Sequence, residues 1–181
     1  MKNKNRLEEF ISSPKKSLWK LSIPMMLGMS VQAIYMLIDT AFIGNWVGFK
    51  ALTGLGFVFP PMFIIMGITF GIGSGATTVI AQNIGKGDKK KADNAAEHLL
   101  ALGIVLSIFF ILIGYFSGSN ILKFQGATGQ SLVYASSYFF IMLIGIPFMI
   151  FSIFFRSILS GEGDNMLPMK ILGLGTIINI V

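Results

Sequence analysis

Residues 21–49 read LSIPMMLGMSVQAIYMLIDTAFIGNWVGF and carry a single charge, Asp39. At 1.5 Å per residue, a helix of this length is about 43 Å long, enough to cross a hydrocarbon core of about 30 Å. Downstream, residues 51–85, 99–122 and 124–155 hold no charge at all, and a fifth apolar run starts after Lys170 and continues to Val181. A transmembrane strand needs about ten strictly alternating residues, and these runs are longer and do not alternate. The sequence therefore predicts an all-α membrane protein with about five transmembrane helices. The expected spans are 21–47, 52–84, 95–116, 131–159 and 167–181, the last incomplete, behind a basic segment at 1–20.

Composition agrees. Of 181 residues, 54% are hydrophobic and only 12% are charged, against about 25% in soluble domains. That is too little charge to cover a soluble surface or to keep a chain disordered. The absence of cysteine excludes disulfides, thiolate metal sites and thiol catalysis. One histidine and eight carboxylates leave little material for a zinc site or a Ser-His-Asp triad. No catalytic residues are assigned, and no enzyme activity, cofactor or nucleic-acid partner is expected.

The basic residues set the orientation. With one crossing per run, all of them except Lys50 and Lys123 fall on one side, in the N-terminal segment, the 86–98 loop and the 156–170 loop. Basic residues flanking a span favour the cytoplasm, so the N-terminus is expected inside. Dividing the second run at Pro60-Pro61 would place Lys86–Lys91 outside, against that asymmetry. The polar first twenty residues and the long run behind them do not fit a signal peptide. Two readings of the start stay open. Glu8–Leu21 is an amphipathic helix on the inner leaflet, with Phe10, Ile11, Leu18 and Trp19 toward lipid, or it is a solvated basic tail.

Pro24, Pro60, Pro61 and Pro147 sit inside apolar runs, where each removes a backbone hydrogen bond and can kink a helix. Gly67, Gly71 and Gly75 recur every four residues, and such a face lets another helix approach closely. The string Gly71-Ile72-Gly73-Ser74-Gly75 has neither the preceding strand nor the Lys-Ser/Thr of a phosphate-binding loop. It reads as helix packing. Ser74 lacks a base nearby to activate it, since His98 belongs to the charged loop.

Asp39 is the one charge deep inside a span. A carboxylate at a helix centre costs roughly 2.5–3.5 kcal/mol on insertion scales. It must face protein or a wet cavity, neutralised by a proton or a cation for part of its life. The bland alternative is a hydrated residue near the outer mouth. Gly28, Gln32, Tyr35 and Asp39 step by four, three and four along one face. An apolar helix with one polar stripe faces a cavity, and Tyr35 offers a π-face to an organic cation. Interhelical hydrogen bonding is the competing reading of Gln32 and Tyr35.

The ordered set of local motifs resembles the first half of a MATE (multidrug and toxic compound extrusion) transporter, nearest the DinF-like branch, from about Leu18 onward. The residues that carry it are Ile23-Pro24, then Gln32 with Asp39-Thr40 and Phe42-Ile43-Gly44. Gln82-Asn83-Ile84-Gly85-Lys86-Gly87-Asp88 follows the second span. Arg156-Ser157-Ile158-Leu159-Ser160-Gly161-Glu162-Gly163-Asp164 follows the fourth. Gly175-Thr176-Ile177-Ile178-Asn179-Ile180-Val181 lies in the fifth.

The resemblance implies twelve spans in two six-helix lobes around a cavity, of which this chain supplies most of the N-terminal lobe. It implies exchange of protons or sodium ions for organic, usually cationic, compounds across the prokaryotic plasma membrane. Asp39 and Asn179 are then the ion-coupling residues, and the sodium ligands if sodium is the ion. Gln32, Tyr35 and Gly28 belong to the substrate cavity, and Pro24 to a helix bend. The family pattern places a second acid four residues after Asn179, beyond the last residue here. The C-terminal lobe is a missing partner. Two alternatives remain: a non-transporting truncated remnant, and a lipid or oligosaccharide flippase of the same superfamily. A flippase groove would call for intramembrane cations, and none lies deep in these spans.

Overall fold

A computed structural model of the chain describes residues 12, 14–46, 48–164, 166–168, 170–171 and 174–175. They form four long helices: α1 (Pro14–Trp46), α2 (Phe49–Gly85), α3 (Lys89–Phe124) and α4 (Gly129–Gly161). No strand occurs among the described residues. The fifth expected span falls largely outside them, with helical residues only at 166–168, 170–171 and 174–175. Within the described residues α2, α3 and α4 are each long and apolar enough to cross a membrane. α2 continues through Pro60 and Pro61, and α4 through Pro147.

The chain divides into two compact units, Met1–Ile38 with Asp164–Val181, and Asp39–Gly163. In the first unit the helix from Pro14 exposes Leu18 and Trp19, along with Lys15 and Lys16. Phe10 and Ile11, the other apolar residues of the expected surface helix, lie outside the described residues. Asp164 Oδ1 accepts hydrogen bonds from the backbone N–H groups of Met166 (3.1 Å) and Leu167 (3.3 Å), the arrangement of a helix N-cap.

In the second unit α4 packs on both α2 and α3, and α2 on α3. The α2 seam is Ala51, Leu55, Val58, Met62, Ile65 and Thr69, all buried. Its alternating steps of four and three are the spacing of a coiled-coil stripe. α4 contributes bulk: Phe139, Leu143, Ile146, Ile150 and Phe154 are buried almost completely. α3 answers with small residues on its buried face, Gly103, Ser107, Gly114 and Gly118. A Cβ on Gly103 would lie 3.2 Å from the Phe154 ring, one on Gly118 would lie 2.5 Å from the Phe139 ring, and one on Gly114 would press into Leu143. Lipid tails are as apolar as a protein core, so association inside a bilayer rests on such close fitting.

Within this unit Gly67, Gly71 and Gly75 pack against neither α3 nor α4. All three are exposed, and a Cβ at any of them would meet nothing within 4 Å. On the helical wheel they lie about 120–160° from the centre of the α2 seam. The packing glycine of the 71–75 string is Gly73, whose Cβ would sit 2.5 Å from Ser157 Oγ on α4. The two buried hydroxyls, Thr69 and Ser107, donate to the carbonyls of Ile65 (2.7 Å) and Gly103 (2.6 Å) within their own helices.

Candidate functional site

The residues singled out by sequence sit on α1, apart from Asn179. The α1 backbone is helical without a break from Pro14 to Trp46. At about 100° per residue, positions 28, 32 and 35 of the first unit therefore share an arc of about 60°, and Asp39 opens the second unit. Pro24 lies one turn before them. The side-chain surroundings of Pro24, Gly28, Gln32, Tyr35 and Asp39 lie outside the described residues, as does Asn179 altogether. Among the described residues no group of three or more His, Asp or Glu side chains could hold a metal ion.

The motif at 82–88 has a local structural cause. α2 ends with Gly87 in the left-handed region at φ 75°. Gly87 N–H donates to Ile84 O (2.9 Å) and Asp88 N–H to Asn83 O (2.9 Å). This pair of bonds is a Schellman stop, which a glycine adopts without a Cβ clash. Asp88 then caps α3, accepting from Lys91 N–H at 3.1 Å and pairing with Lys91 Nζ at 2.8 Å. Those hydrogen bonds, the ammonium first and the backbone N–H second, hold the Asp88 carboxyl below its ordinary value. A depressed carboxylate stabilises the fold above its unfolded pKa, and the contribution is lost as pH falls through the folded value, in the acid range. The string at 160–164 repeats this grammar, with Gly163 at φ 81° and Asp164 as the cap.

At this end of the unit the helices are pinned together. Thr77 Oγ1 is within hydrogen-bond distance of Gly73 O in its own helix (3.0 Å) and of Ser157 O on α4 (2.9 Å). A Cβ on Gly161 would lie 2.9 Å from Ile80 and 3.1 Å from the Thr77 carbonyl. The sequence reading passed over one feature of the open α2 face. Ser74, Thr78 and Gln82, all exposed, follow one another every four residues beside Gly71 and Gly75, and Thr78 Oγ1 donates to Ser74 O at 3.1 Å. The i, i+4 polar spacing inside an apolar run was the signal for it.

Long apolar helices fitted together through glycine, with one carboxylate carried on the first of them, define an α-helical integral membrane protein. Residues 24–181 match the MatE family model. The chain belongs to this family of MATE transporters, as its N-terminal portion. It is 30% identical over 174 residues to "Probable multidrug resistance protein NorM" of Thermotoga maritima, covering 96% of this chain and 37% of that protein. A solved structure of MATE in the bent conformation matches 92% of this chain and 37% of its own, at 35% identity and a TM-score of 0.83. The MATE multidrug transporter DinF-BH, solved in complex with R6G, matches at 31% identity and a TM-score of 0.87 over 93% of this chain and 38% of its own. The chain thus spans about 37% of the length of the relatives it matches.

Proposed function

We propose that the chain is the N-terminal lobe of a cation-coupled antiporter that exports organic, cationic compounds across a prokaryotic plasma membrane. The observation that carries this reading is Asp39, the single charge in the apolar runs, inside the segment that matches the family. In this reading Asp39 and Asn179 bind the coupling ion, a proton or sodium. Gln32, Tyr35 and Gly28 line the cargo cavity, and Pro24 supplies a bend. A relative solved with R6G supports an organic cargo. The C-terminal lobe supplies the second wall and the repeat against which this one rocks.

The test is dye movement into inverted vesicles that carry this lobe joined to a C-terminal lobe. With R6G as the probe, accumulation is expected under an imposed proton or sodium gradient, and not after the gradient is collapsed. No gradient-driven movement under either ion overturns the reading in favour of a remnant or a flippase.

The same proposal puts the N-terminus and the 85–88 turn in the cytoplasm. The chain has no cysteine, so single cysteines report cleanly. Lys89→Cys is expected to react with an impermeant maleimide only in inverted vesicles, and Asn120→Cys only in right-side-out cells; both positions are exposed. Gly48 is a poor site for such a probe, because its φ of 99° strains any side chain. Labelling of Lys89→Cys from outside the cell would overturn the orientation.

A further inference from the structure

Arg156 lies in α4 five residues before its end, half-buried between Phe155 and Ser157. The helix contacts fix its level. One residue on, the Ser157 carbonyl lies 2.9 Å from Thr77 Oγ1 of α2. Two residues back, Phe154 rests on Gly103 of α3. Arg156 is therefore level with Thr77 on α2 and with the residues just before Gly103 on α3. On α3 the charge-free run opens at Leu99, directly after Glu97 and His98. On α2, Thr77, Thr78, Gln82 and Asn83 begin at this level. At this level α4 carries its one charge, the charge-free run of α3 opens, and hydroxyl and amide side chains gather on α2.

The lysines of the 85–91 region are elsewhere. From Thr77 to Gly87 the α2 axis runs on by about 15 Å. That places Lys86, Lys89 and Lys90 more than a Debye length of about 8 Å beyond that level, and Lys91 is paired with Asp88. At this end of the unit Arg156 is the cation nearest the apolar helix body. Among the described residues Lys91–Asp88 is the one ion pair, and no described carboxylate lies within ion-pair distance of Arg156. Ser152 and Ser160 stand one turn on either side of it on the same helix face.

We propose that Arg156 binds the phosphodiester of a phospholipid headgroup, with Ser160 one turn away as a further hydroxyl donor. A planar guanidinium matches two phosphate oxygens at once, and a bilayer presents that anion at this depth. The stem of the arginine covers apolar surface while its head reaches the headgroup layer. This inference rests on the membrane-spanning reading alone and is independent of what the transporter carries.

The chain contains two arginines, Arg6 and Arg156. In Arg6→Lys protein labelled with ¹³C at arginine Cζ, Arg156 is the sole guanidinium signal. In liposomes of phosphatidylethanolamine and phosphatidylglycerol, in phosphate-free buffer, that carbon is expected to be dephased by ³¹P at about 4 Å, the separation a bidentate pair imposes. In native mass spectra, Arg156→Gln is expected to lose one retained phospholipid, and Arg156→Lys to keep part of it. A folded protein with no dephasing overturns the proposal, since Arg156 would then be answered by a carboxylate from elsewhere. Dephasing seen only when inorganic phosphate is added to a phosphate-free glycolipid bilayer overturns the lipid assignment. Failure of dye transport leaves these readouts untouched.

Discussion

Asp39→Asn, in a transporter that contains this lobe, is expected to insert normally, to bind R6G, and to lose gradient-driven efflux. Insertion should not suffer, because an amide replaces a carboxylate that costs roughly 2.5–3.5 kcal/mol at a helix centre. What disappears is exchange: an amide neither takes up and releases a proton nor neutralises a sodium ion. With a monovalent cationic cargo exchanged one for one, the charges cancel and the drive is the ion's own concentration gradient: each tenfold gradient supplies about 1.4 kcal/mol and sustains about a tenfold concentration of cargo. The variant should therefore fall from concentrative efflux to simple equilibration. Dye movement in inverted vesicles under imposed proton and sodium gradients, with membrane levels matched by blotting, reads the difference. Pumping at the parent rate under either gradient would remove Asp39 from the coupling role.

The second large effect is in packing, and it separates two glycine faces that look alike in sequence. Gly118→Leu must place its Cβ where the Phe139 ring lies, 2.5 Å from the nearest ring carbon. Phe139 is only 2% exposed, so the ring has little room to retreat. Overpacking of this kind costs about 1–3 kcal/mol or more, and α3 and α4 must separate to accept it. Gly71→Leu meets nothing within 4 Å and should leave the stability of this chain within about 0.5 kcal/mol of the parent. In mild detergent, the temperature at which the chain stops eluting as a single species should drop by several degrees for Gly118→Leu. It should hold for Gly71→Leu. Equal melting of the two would mean that the α3–α4 contact is not the one described.

The helices themselves were legible because charge-free runs have no other explanation. Their ends were less so. α3 begins at Lys89, six residues before the expected start of its span, because Asp88 caps a charged first turn that hydropathy cannot see. The small-residue face of α2 is not the one that α3 and α4 use, for a physical reason. A four-residue repeat of glycine marks a face that permits close approach, and it does not say which neighbour arrives. On α2 the neighbour is chosen by the opposite stripe, Ala51 through Thr69, whose coiled-coil spacing is diluted in a run where almost every residue is apolar. On α3 Gly103, Ser107, Gly114 and Gly118 keep one face but share it with the bulky Phe110, and the facing Phe154, Leu143 and Phe139 make it a groove. Asp39 was found from cost alone: nothing but function or hydration explains a carboxylate in such a run.

The glycine groove along α3 also sets which changes this lobe can absorb over evolutionary time. At 103, 107, 114 and 118 the fit is limited by the space a facing ring or leucine leaves, while a hydroxyl is accommodated by its own helix, as Ser107 is. Substitution at these positions should be graded by volume. At 114 and 118, where a Cβ already meets Leu143 or Phe139, even alanine should cost packing, whereas 107 holds serine without loss. On the exposed side of the same helix, at Ile104, Ile108 and Leu112, the grading inverts wherever lipid covers it: size drifts freely and polarity is policed by the bilayer. One helix thus carries two alphabets, read by two different solvents.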